Sequence, residues 1–137
     1  MKRVILNKCF GGFGVSKEAY ELYAKKKGID VFHYTQKNLK NEIYTYATDD
    51  NRSFDFHFTK DFGDNVYISN EDFKKYFLNL DENFREDKTL IEVVEELGEK
   101  ANTFYSNLKI VEIPDDLDYV IDNYDGIETL HQKVQEW

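Results

Sequence analysis

The chain has 137 residues, 41% apolar and 16% aromatic, and 18 Lys and Arg stand against 27 Asp and Glu for a formal charge of −9. That length fits one domain, and no stretch reaches the ~18 apolar residues of a membrane span or the roughly 7–15 of a secretory h-region, so a cytoplasmic protein is expected. A field of this sign repels duplex nucleic acid, and the single cysteine, Cys9, excludes an internal disulfide framework.

The charge is unevenly spread. Residues 1–40 hold nine Lys and Arg against three acids, while the other 97 residues hold nine against 24. An anionic small ligand would therefore be repelled least near the N-terminal third. His33, His57, His131 and Cys9 share no ligand spacing, so neither zinc nor any other cofactor is expected.

In chain order, Arg3–Cys9 reads as a first strand and Phe10–Val15 as a glycine-rich loop. Ser16 is placed to cap a helix with Ala19, Leu22 and Tyr23 at helical spacing, and Gly28 is a good terminating residue. Ile29–Tyr34 is a second strand. Glu42–Thr48 and Ser53–Thr59 alternate around Asp49-Asp50-Asn51-Arg52, with Phe54, Phe56 and Phe58 on one face, and predict a hairpin. Ser69 with Asp72 resembles a capping box before Phe73, Tyr76, Phe77 and Leu80. Asp87 caps a helix with the stripe Leu90, Val93, Val94, Leu97, extending past Gly98 toward Ala101 and Phe104. Leu108–Ile113 and Tyr119–Tyr124 are strands with a turn at Pro114-Asp115-Asp116. Ile127–Trp137 fits both periods and is read as a helix through Ile127, Leu130 and Val134. The fold class is α+β, a mostly antiparallel sheet with three or four helices, in a single domain over residues 1–137.

Candidate site residues come from three places. Phe10-Gly11-Gly12-Phe13-Gly14 puts three glycines between a strand and a helix start, where positive φ and close backbone approach are possible and N–H groups attract phosphate. Phe10 and Phe13 are available to stack on a base; a tight structural turn explains the same residues. The spacing matches neither dinucleotide-binding nor phosphate-loop fingerprints. Arg85 can grip a phosphate bidentately, or pair internally with Glu86, Asp87 or Asp81. Asn102, after Lys100, offers an amide, although a solvated helix face accounts for it as well. No acidic pair is fixed in one pocket, and Cys9 with His33 as nucleophile and base competes with a plain core cysteine, so an enzyme is not expected. Trp137 either pins the C-terminus or stacks at a seam.

Three segments carry a family resemblance: Val4–Ser16, Leu90–Gly98, and Ile110–Asp116 with Tyr124-Asp125-Gly126 and Trp137. They resemble small phage and prophage proteins, and among these the Thoeris anti-defence sponges of the first described type; relative to that pattern the hairpin region over residues 36–64 looks like an insertion. The resemblance implies a homo-oligomer that sequesters a cyclic ADP-ribose-type signal between subunits without degrading it. It also implies recognition by aromatic, Arg and Asn side chains with backbone groups, which here are Phe10, Gly11, Gly12, Phe13, Arg85 and Asn102. The tail departs from the pattern, because Gln132–Trp137 offers only Lys133 as a cation. Independently of the resemblance, 11 Phe and 10 Tyr in so short a chain predict apolar surface left for a partner copy. The alternative function is an acidic phage inhibitor that docks directly on a host defence protein.

Overall fold

The computed structural model describes residues 1–38, 43–47, 55–103 and 106–133. Phe54, Phe104, Trp137 and the turn at residues 49–52 lie outside the described residues. The elements run β1 (Lys2–Asn7), α1 (Lys17–Lys27), β2 (Phe32–Asn38), β3 (Ile43–Tyr46), β4 (Asp55–Phe58), β5 (Val66–Tyr67), α2 (Asn70–Tyr76), α3 (Lys88–Leu97), β6 (Leu108–Ile113), β7 (Tyr119–Tyr124) and β8 (Ile127–Gln132). Short 3₁₀ turns at Glu82–Phe84 and Gly98–Ala101 flank α3. The class is α+β with antiparallel pairing, as expected.

The first half of the architecture has three layers. Strand β1 pairs antiparallel with β6, Lys2 opposite Ile113 and Asn7 opposite Leu108. Alternation along a strand sends successive side chains to opposite faces. Ile5, Leu108 and Ile110 accordingly pack against α1 and α3, whereas Val4, Leu6, Val111 and Ile113 pack against Leu117, Tyr119, Ile121 and Leu130 of the β7–β8 ribbon. Both faces of β1 are covered, which is why Val4-Ile5-Leu6 is a continuous apolar run. Each such side chain contributes about 1.5–3 kcal/mol by leaving water. Ser16 caps α1, its Oγ accepting from the Ala19 N–H, and Gly28 ends the helix with φ +70°. Asp87 caps α3 through the Leu90 N–H.

The second half is the sheet β4-β2-β3-β5 under α2. Its core is aromatic: Tyr34 and Phe58 are fully buried, and Phe58 meets the rings of Phe62, Phe73 and Phe77 at centroid distances of 5.5, 5.3 and 5.8 Å. Tyr34 and Tyr46 both donate their hydroxyls to Asp61, at 3.1 and 2.6 Å.

Two expectations are corrected. The alternating runs around residues 43–46 and 55–58 do not pair with each other; β2 lies between them, bonded to both. Alternation marks a half-buried strand and says nothing about its partner. The second correction is at the C-terminal end, where Ile127–Gln132 is strand β8 and not helix. Tyr124 pairs with Ile127 across Asp125 (φ +50°) and Gly126 (φ +96°). Two successive positive φ values define the tight hairpin that Asp-Gly favours, so the Asp-Gly pair was the stronger signal. Helix α2 is also shorter than its apolar spacing suggests, ending at Tyr76.

Candidate functional site

The glycine loop is built by its neighbours. Asn7, fully buried at the end of β1, donates its amide to the carbonyls of Cys9 (2.9 Å) and Gly126 (2.7 Å) and accepts from the Asn107 N–H (2.9 Å). These bonds turn the chain out of the sheet. Gly11 and Gly12 then take φ +129° and +101°, a region that side chains rarely enter. The Gly11 N–H donates to the Asp125 carbonyl at 3.2 Å. A Cβ on Gly126 would sit 2.4 Å from the Gly12 nitrogen and 2.6 Å from that of Gly11. The loop and the β7–β8 turn therefore meet backbone to backbone.

Beside this junction lies a buried charge pair. Arg85 Nη2 donates to Glu128 Oε2 at 2.8 Å and Nη1 to Oε1 at 3.1 Å; Arg85 is 12% exposed and Glu128 3%. Nη1 also reaches the Ile5 carbonyl at 3.2 Å, and Nε the Glu82 carbonyl at 3.1 Å. The Ile5 N–H donates to the Arg85 carbonyl, and the Asn7 N–H to Glu128 Oε1, each at 2.9 Å. These bonds cover the edge of β1 that β6 leaves open, so the pair closes an exposed strand edge. Arg85 is thus paired internally, with Glu128 instead of Glu86, Asp87 or Asp81. Glu128 carries no signal of its own in a segment whose spacing fits a helix as well as a strand.

The other candidates occupy distinct settings. Phe13 is half-buried against the α1–α3 core, with the Arg85 guanidinium 5.4 Å from its ring centroid. Phe10 is 60% exposed, and Tyr124, beside the facing turn, is 75% exposed. Asn102 bridges Val15 and accepts the Leu108 N–H at 2.8 Å. It also lines a groove of about 240 Å³ with Val94, Gly98, Glu99, Asn107 and Ile110. Phe13 and Arg85 are brought into contact, Asn102 reaches the loop through Val15, and Phe10 projects away. Cys9 and His33 are not brought together: the Cys9 thiol is within reach of the Phe10 carbonyl, and the ring nitrogens of His33 bond His57 and Glu21.

Comparison with protein families, curated proteins and solved structures finds no match.

Four of the nine cations in residues 1–40 make contacts with the rest of the fold. Lys2 pairs with Glu86, Arg3 with Glu95, and Lys26 with Glu96 and Glu92, while Lys8 donates to the Glu128 carbonyl. Three of them, Lys2, Arg3 and Lys26, pair with acids of the acidic remainder. No helix among the described residues is long and apolar enough to cross a membrane.

Proposed function

We propose that this protein is a binding module that sequesters a nucleotide-derived immune signal of the cyclic ADP-ribose type, releasing it intact, at a site completed between copies of the chain. One observation supports the reading most: Phe10 and Tyr124, two strongly exposed rings, flank the junction where the glycine loop meets the β7–β8 turn. Exposed aromatic rings beside this junction suit a base that stacks. The Arg85 fork is spent on Glu128 and the Gly11 N–H on the Asp125 carbonyl, so the exposed rings carry the recognition. The groove at Asn102, at about 240 Å³, is smaller than the roughly 300–1,000 Å³ of ligand pockets. A second copy would supply the missing wall.

The acidic-inhibitor reading has its own support in the exposed acids Asp115, Asp116, Asp118, Asp122 and Asp125 along the β7–β8 side. Incubating the protein with extract from cells carrying an activated TIR-domain enzyme, washing, heating and applying mass spectrometry to the supernatant separates the two. An intact nucleotide recovered from wild type and reduced in Tyr124→Ala is the expected result. No nucleotide, with inhibition of a host protein lost on reversing those aspartates, would replace the sponge reading.

A further inference from the structure

A second polar cluster lies away from the glycine loop. His33 on β2 and His57 on β4 sit opposite each other in register, and their Nδ1 atoms are 2.8 Å apart. The other nitrogen of His33, Nε2, faces Glu21 Oε1 on α1 at 3.2 Å. The buried His57 ring stacks on Tyr20 of α1, centroids 3.6 Å apart and planes within 19°. Tyr20 belongs to the α1–α3 core, and Phe56 and Phe58 beside His57 belong to the aromatic core. The cluster therefore stands at the seam between the two halves. The segment after α2 closes it, with the Leu78 N–H donating to the His57 carbonyl and the Leu80 N–H to the Tyr20 hydroxyl. The titratable groups turned toward His57 are Lys17, Tyr20 and, through His33, Glu21 from α1, with His33 itself from β2.

We propose that Glu21, His33 and His57 form a one-proton relay in which a proton taken up at the His57 end of the pair reverses the His33–His57 hydrogen bond and leaves its charge at the outer end, on His33 beside Glu21. An Nδ1–Nδ1 bond needs a proton on one ring nitrogen and a lone pair on the other. With both rings neutral, His33 gives its Nε2–H to the Glu21 carboxylate and accepts at Nδ1, so His57 carries its proton on Nδ1 and none on Nε2. Adding one proton to the pair moves the bridging proton onto His33 Nδ1, and His57 gains a proton on Nε2. Two N–H groups have become three, the positive charge rests on His33 beside Glu21, and His57 stays neutral against Tyr20. A second proton would leave two Nδ1–H groups facing each other and must break the bond. The seam accepts one proton and opens at the next. Burial, then the proximity of His33 and of Lys17, pushes the His57 imidazole down to about 3, in keeping with a ring that stays neutral while its partner charges.

Imidazole nitrogen and proton NMR of the full chain between pH 8 and pH 5 tests this. His57 is expected to change tautomer, from Nδ1–H to Nε2–H, in the same step in which His33 becomes an imidazolium. Glu21→Gln, at an exposed carboxylate, should move that step to lower pH, and His33→Gln should abolish the tautomer change while the protein stays folded. A His57 tautomer constant through the His33 step, or a His57 that itself becomes imidazolium in the folded protein, would overturn the relay.

Discussion

Arg85 and Glu128 join β1 to the β7–β8 ribbon with two full charges, bidentate geometry and further bonds to Ile5 and Asn7. His33 and His57 join β2 to β4 and α1 through one shared proton. The first seam is locked at any pH at which Glu128 is ionised, and breaking it strands a charge in the interior. The second is neutral, so its strength follows the proton supply. The contrast shows how the chain spends its polar groups. A guanidinium and a carboxylate join the elements at one seam, and a pair of imidazoles joins them at the other.

The largest expected effect breaks the charged seam. Arg85→Ala should cost about 3–5 kcal/mol of apo stability, because it leaves Glu128 buried without its partner. Replacing both by Met and Leu should be much milder. Urea unfolding of the three proteins checks this, and a loss under about 1 kcal/mol for the single variant would return Arg85 to the pool of free ligand groups.

Next comes Phe13, which ties that seam to the helical core. Phe13→Ala should lower stability by about 2–3 kcal/mol, below the range for a fully buried ring since Phe13 is only half-buried. Phe13→Leu should recover most of the loss but not the cation–π contact with Arg85, worth roughly 0.5–1 kcal/mol. Thermal melting without ligand reads both. Unchanged melting in Phe13→Ala would put the ring in the ligand site.

The neutral seam responds to pH. His57 is pushed down from 6.5 to about 3 in the fold, so the unfolded chain binds a proton that the folded chain excludes. Stability should be full above pH 7 and fall as pH drops below 6.5, by on the order of 1–2 kcal/mol at pH 5. His57→Gln should flatten that window. Asp61, held low chiefly by the Tyr46 hydroxyl and the Gly63 N–H, adds a loss of the same sign only at more acidic pH.

Much of this was legible in the sequence where a local signal decided the matter. Ser16, Gly28, Ser69 and Asp87 each cap or end a helix as their positions suggested. What could not be read was pairing at a distance. β4 can add to an edge of β3 or to the free edge of β2, and the alternation around residues 43–58 is the same in both cases. For the same reason the sequence offers Arg85 its neighbours Glu86, Asp87 and Asp81, whereas its partner lies 43 residues away on a strand. Phe10 and the glycines were visible from composition, but the facing Tyr124–Gly126 turn emerges only when β7 and β8 fold onto β1.

Phe10→Ala should have the smallest effect on folding and the largest on binding, and it tests most directly whether the glycine-loop junction is the ligand end of the molecule. The ring is 60% exposed, so apo melting should be unchanged, while the nucleotide recovered from activated extract should fall in line with a stacking loss of about 1–3 kcal/mol, roughly 5- to 150-fold in affinity. Wild-type recovery by a normally folded Phe10→Ala protein would contradict the account.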